Sequence, residues 1–147
     1  DGKTVSDLCD ALLNKNPEKV ELIFTEYMKK TISIRDTFAR KPTKENFYHG
    51  LLLGILGFKE NWSVMSNRES GDGFGDILIR IEDVGIVIEV KYADDGNLQG
   101  ECEKALQQII DIRYTEALEQ EGIHTIIKYG IACYRKKCKV LMRIDKQ

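Results

Sequence analysis

The chain has 147 residues, 42% hydrophobic and 31% charged with two prolines, which reads as a folded domain able to bury its own core. Lys and Arg total 22 and Asp and Glu 24, a formal charge of −2 that excludes a histone-like polycation and an acidic disordered tail. No apolar run approaches the ~20 residues needed to span a bilayer, and the opening residues do not read as a signal peptide.

The chain begins at Asp1 without an initiator methionine, which reads as a piece of something longer. Val5, Leu8, Cys9, Leu12 and Leu13 recur at helical spacing, Pro17 interrupts, and Val20, Phe24, Tyr27 and Met28 continue the pattern to about Thr31. Arg40 to Thr43 reads as a boundary, with Thr43 as an N-cap. A third helix follows, with Phe47, Leu51 and Ile55 on one stripe, Tyr48 and Leu52 beside it, and Gly57 at its end. From Asn61 the period changes to two. Trp62 to Ser66 is a short strand, a loop runs from Arg68 to Gly73, and Asp76 to Ile81 alternates with three isoleucines on one face. Glu82-Asp83 turns into a more buried strand, Gly85 to Lys91. A long helix is expected from about Leu98 to Glu121, on a stripe of Leu98, Cys102, Ala105, Leu106, Ile109 and Ile112, with Gly122 closing it. Strands Ile123–Tyr134 and Lys139–Arg143 surround a turn at Arg135-Lys136-Lys137. The expected fold class is therefore α/β (α+β): a central mixed sheet flanked by helices, in the order α-β-β-β-α-β-β after a helical prelude. Residues 1–41 form that prelude and 42–147 the main domain.

Cys9, Cys102, Cys133 and Cys138 match no zinc spacing and read as reduced structural thiols, which points to the cytoplasm. The glycines at 71, 73 and 75 lead into a strand, not a helix, so they are not a dinucleotide fingerprint.

The chemistry concentrates at Gly73-Phe74-Gly75-Asp76 and, thirteen residues after Asp76, Glu89-Val90-Lys91. A hairpin turning at Glu82-Asp83 sets Asp76 opposite Glu89, and alternation puts Glu89 and Lys91 on one face about 7 Å apart. Glu89 is a charge in an otherwise apolar strand, so it must be paired, protonated or holding a cation. Two carboxylates and the carbonyl of Val90 suit Mg²⁺, an ion that polarises a phosphoryl oxygen and activates water. Lys91 would orient that water and stabilise charge on a pentavalent phosphorane. The competing reading is a cross-strand salt bridge.

Asp76 with Glu89-x-Lys91 resembles the D…(D/E)xK signature of the PD-(D/E)xK phosphodiesterase superfamily, of restriction-endonuclease-like fold. Asn46 to Gly54, Ser66 to Gly71 and Ala105 to Ile109 resemble one branch of it, in which the nuclease-like domain lies C-terminal to an AAA-ATPase-like domain in bacterial proteins. The resemblance covers about Thr43 to Arg143. It implies that Asp76 and Glu89 are metal carboxylates and Lys91 the catalytic lysine. It also implies that Glu45 completes the metal site and that Gln108 stands beside it as a further catalytic residue. Glu45 equally suits helix-dipole stabilisation, and Gln108 a core glutamine bonding a strand carbonyl. Gly75 stands where the superfamily often has proline.

The implied activity is Mg²⁺- or Mn²⁺-dependent hydrolysis of nucleic acid, DNA in the first place, within a larger ATPase-linked protein. The alternative is a catalytically silent nuclease-fold module for nucleic-acid or protein binding. Arg68, with Glu69, reads as a phosphate clamp or as a local loop pair. His49 reads as a helix-face histidine, and Tyr114 and Trp62 as packing. Residues 94–121 carry eight acidic and two basic groups and residues 122–147 seven basic and one acidic, so the near-neutral total hides two opposite regions. Arg135, Lys136 and Lys137 could grip a phosphate backbone, or form a solvated hairpin tip.

Overall fold

A computed structural model describes residues 2–31, 41–67, 76–112 and 114–146. Two helices open the chain, α1 (Gly2–Leu13) and α2 (Pro17–Thr31). The break between them is built locally. Lys15 takes φ 59°, Asn16 Oδ1 accepts the amide of Lys19 at 3.2 Å, and Pro17 occupies the first helical position, where no amide is needed. Helix α3 (Lys41–Leu56) begins two residues before the expected Thr43 cap, so Thr43 lies inside it.

Three strands follow: β1 (Ser63–Asn67), β2 (Asp76–Ile81) and β3 (Val84–Tyr92). Glu82, at φ 52°, makes the tight link between β2 and β3. Helix α4 (Leu98–Ile112) is capped by Asn97, whose Oδ1 accepts the amide of Gly100 at 3.0 Å. The segment expected as one long helix is helical over α4 and over α5 (Tyr114–Gln120); Arg113, between them, lies outside the described residues. Gly122, at φ 87°, ends α5, with Ile123 N bonded to Leu118 O at 3.1 Å and Gly122 N to Glu119 O at 3.0 Å. Strands β4 (Thr125–Tyr134) and β5 (Lys137–Lys146) close the fold, and β5 is longer at both ends than its apolar run implies.

The five strands lie in sequence order, β1-β2-β3-β4-β5, all neighbours antiparallel except β3 and β4. Parallel pairing of consecutive strands demands a crossover, and α4 and α5 supply it. The sheet is buried on both faces. Ile77, Ile79, Ile86, Ile88, Ile127 and Tyr129 face α1, α2 and α3, meeting Leu8, Leu12, Phe24, Tyr48 and Leu52. Leu78, Val87 and Ile126 face the other way, onto Ile109, Leu118 and Ile123. Trp62 joins the first cluster, as expected. Within α3 the fully buried stripe is Tyr48, Leu52 and Leu56, while Phe47 and Leu51 are only half-buried.

The opening helices are stitched to the sheet as well as packed on it: Tyr129 Oη donates to Leu12 O at 2.7 Å, and Val140 N to Glu21 Oε1 at 3.0 Å. The four cysteines are free and buried. Burial pushes the thiols of Cys9, Cys102 and Cys138 up to about 11, 12 and 12, so they are inert at neutral pH. No helix among the described residues is long and apolar enough to cross a membrane.

At Gly130 the backbone of α4 sits directly on β4 with no side chain between them. A Cβ at Gly130 would stand 2.6 Å from Cys102 O and 2.8 Å from Leu106 N, both backbone atoms that cannot step aside. Gly130→Ala should therefore destabilise the protein by about 1–3 kcal/mol, read as a lowered denaturation midpoint. Gly50→Ala, where a Cβ meets nothing within 4 Å on exposed α3, should be neutral or stabilising by up to ~1 kcal/mol.

Candidate active site

The β2–β3 register pairs Ile77 with Ile88, so Asp76 is the next residue out, opposite Glu89. Alternation then places Asp76, Glu89 and Lys91 on the face that α4 covers, while Ile77, Ile88 and Val90 enter the core on the other. What Val90 can give the site is its backbone carbonyl. Asp76 and Glu89 are 2% and 1% exposed, so both carboxyls are held out of bulk water. The two carboxyls interact directly.

Three further side chains converge on this pair. Lys91 Nζ lies 3.6 Å from Glu89 Oε1, along the strand rather than across it. Gln108, from α4, donates its Nε2 proton to the same oxygen at 3.2 Å. It thus bonds a carboxylate and not the strand carbonyl that a core glutamine would take. Glu45, from α3, is buried and accepts the amide of Tyr92 on Oε1 at 3.5 Å. It stands past the first turn of a helix that begins at Lys41, where the dipole has little hold, so a capping role does not account for it.

Electrostatics define what this arrangement lacks. Burial pushes the Glu89 carboxyl from 4.5 up to about 9; the hydrogen bond with Asp76 and the repulsion of its charge push the same way. Lys91 pulls the value down, and Glu45 adds a smaller repulsion. Among the described residues, Lys91 is the cation whose charge acts against the rise at Glu89. Oxygen Oε2 of Glu89 takes no hydrogen bond from a protein donor among the described residues. A divalent cation fits this deficit, since it prefers carboxylate oxygens and would replace the retained proton. The described residues do not, however, bring three or more His, Cys, Asp or Glu side chains into one ready-made metal cluster.

Two neighbours escaped the sequence reading. Tyr92, next after Lys91, gives its amide to Glu45 and its ring to Lys44, whose Nζ stands 4.6 Å from the ring centroid. Their adjacency to Glu45 and Lys91 was the available signal. His49, one turn beyond Glu45, is buried rather than displayed on a helix face, with Nε2 2.9 Å from Ser66 Oγ. Arg135, Lys136 and Lys137 lie at the β4–β5 hairpin and not on the carboxylate pair. Arg68, Glu69 and the glycines at 71, 73 and 75 lie outside the described residues.

The Glu89 shift sets a stability profile. The metal-free folded protein holds one more proton than the unfolded chain between pH ~4.5 and about 9. This contribution is complete below the ordinary carboxylate value and is lost as pH rises toward the folded value. Urea denaturation in EDTA should show stability falling across that window, with a slope from this group of at most ~1.4 kcal/mol per pH unit. Glu89→Gln should flatten it.

No curated protein matches the chain. The sequence profile of the PD-(D/E)XK nuclease superfamily matches residues 43–142, a span that takes in most of α3, the β2–β3 hairpin, α4 and β4. With its mixed five-stranded sheet, flanking helices and the Asp76, Glu89 and Lys91 constellation at the hairpin, the chain belongs to the PD-(D/E)XK nuclease superfamily.

Proposed function

We propose that this chain is a divalent-metal-dependent phosphodiesterase that hydrolyses nucleic acid, with DNA as substrate and Mg²⁺ or Mn²⁺ as cofactor. The observation that carries the reading is the buried Glu89 carboxyl, facing Asp76 and held by both Lys91 and Gln108 on Oε1. A structural ion pair needs one carboxylate beside Lys91; here a second, Asp76, faces the first, as a site built to hold a cation requires.

Asp76 and Glu89 would hold the ion, with Glu45 and the carbonyl of Val90 completing its surroundings. When bound, the ion supplies a Lewis acid for the phosphoryl oxygen and lowers the pKa of water. Gln108 orients the Glu89 carboxylate by fixing Oε1, and Oε2 would be available to a bound ion. Lys91, a partly exposed ammonium beside that carboxylate, orients the attacking water and stabilises negative charge as the phosphorus becomes five-coordinate. Activity as an endo- or exodeoxyribonuclease within a larger bacterial, ATPase-linked protein is supported by the likeness of residues 46–54, 66–71 and 105–109 to that branch. Free buried thiols support a cytoplasmic setting. The alternative, a silent nuclease-fold module, is favoured by one observation: the described residues hold no ready-made cluster of three metal ligands.

Incubation of the protein with linear and circular DNA, and with RNA, in Mg²⁺, Mn²⁺ or EDTA separates the two. DNA cleavage is expected with either metal and not in EDTA, reduced at least ~10²-fold in Asp76→Ala and Lys91→Ala. Gln108→Ala should lose about 10–100-fold in metal affinity or rate. A folded protein that cleaves neither polymer and binds no metal would be the silent module.

A further inference from the structure

A second cluster of side chains extends from the site to the basic hairpin. The rings of Tyr48 and Tyr92 stack with centroids 5.9 Å apart, and Tyr92 meets Tyr134 at 6.0 Å. Cations cover this row. Lys44 Nζ lies 4.6 Å from the Tyr92 centroid, the Arg135 guanidinium 5.1 Å from that of Tyr134, and Lys137 Nζ 5.8 Å from it. Tyr48 Oη also donates to the carbonyl of Arg135 at 2.6 Å, which pins a turn residue held at φ 56°. The hairpin tip is thus fastened to α3, the helix that carries Glu45.

Parallel pairing fixes where this row lies. Tyr92 is in register with Cys133, so β3 and β4 end side by side, and the hairpin tip projects from the sheet end that carries Glu89 and Lys91. Arg135 is three residues beyond Ala132, the partner of Lys91, about 10 Å along the strand direction. That distance spans roughly three nucleotides of one strand. Arg135 and Lys137 are exposed, whereas Lys139, farther along β5, is 3.9 Å from Glu21.

We propose that Lys44, Arg135 and Lys137, seated on Tyr92 and Tyr134, form a phosphate rail that grips the nucleic-acid backbone beside the site without reading its sequence. The inference rests on the nucleic-acid reading above and extends it to the mode of recognition. The aromatic rings are occupied by one another and by the cations, so they offer no platform for base stacking. Stacked cations are pre-ordered, which reduces the side-chain entropy lost when a phosphate arrives.

The test is fluorescence anisotropy of short labelled oligonucleotides, of two base compositions, with the intact chain in EDTA over a range of salt. Binding should be independent of composition and fall steeply with salt. Arg135→Ala/Lys137→Ala should reduce the slope of log K against log salt by about 1.4 to 1.8, the loss of two phosphate contacts. Arg135→Lys/Lys137→Arg should restore the slope, and denaturation curves check that each variant is folded. An unchanged slope in the alanine variant, no binding by the wild type, a preference for one composition, or equal competition by polyglutamate would each overturn the rail. Cleavage by the wild type with an unchanged variant slope removes the rail and leaves the hydrolase. Steep, composition-independent binding without cleavage in metal does the reverse.

Discussion

Two carboxyl groups, Asp76 and Glu89, are forced together in a place that water barely reaches. That constraint organises the rest. Isolated in an apolar sheet, the pair would be costly enough to be eliminated by substitution with apolar residues of similar size. Here it is surrounded instead by groups whose positions make sense only with respect to it. Lys91 comes from the same strand, Gln108 from the crossover helix and Glu45 from the helix on the opposite face. Burial and the neighbouring Asp76 both favour the protonated form of the Glu89 carboxyl.

The fold's less obvious features serve that arrangement. A two-residue link at Glu82-Asp83 sets the register that faces Asp76 toward Glu89; a slip of one residue would turn both into the wrong layer. The missing side chain at Gly130 lets α4 settle against the sheet, where Cys102 Sγ donates to Gly130 O at 2.8 Å. That seating carries Gln108, six residues along α4, to Glu89. On the other side of the sheet, Tyr48 and Tyr92 tie α3 to the strand ends. Glu45 and the hairpin tip are consequently held by the same helix, which ties the carboxylate pair's surroundings to the basic hairpin.

Much of this was legible in the residues, for definite reasons. β2 was read to the residue because its alternation is clean, and the hairpin turn follows from two charged residues between apolar runs. Period-two geometry was sufficient to put Glu89 and Lys91 together. Glu45 and Gln108 were a different matter. Each lies on a helix whose stripe is otherwise apolar, and only tertiary packing decides whether such a side chain meets a carboxylate, a carbonyl or solvent. Family likeness pointed to them and the fold brought them in. The cap of α3 was misplaced because Thr43 is an ordinary cap residue that here falls inside the helix. The aromatic row escaped for a third reason: Tyr48, Tyr92 and Tyr134 are more than forty residues apart in the chain, and it takes the parallel β3–β4 pairing to gather Tyr92 and Tyr134 and the packing of α3 to add Tyr48.

If Asp76 and Glu89 hold a cation, that cation and the Glu89 proton compete for one place. Calorimetric titration of the protein with Mn²⁺ near neutral pH, repeated in buffers of different ionisation enthalpy, counts the protons released per ion bound. Such competition predicts saturable binding with release approaching one proton per ion, and none released by Glu89→Gln. Saturable binding that releases no proton from the wild-type protein, or equal release from Glu89→Gln, would contradict it.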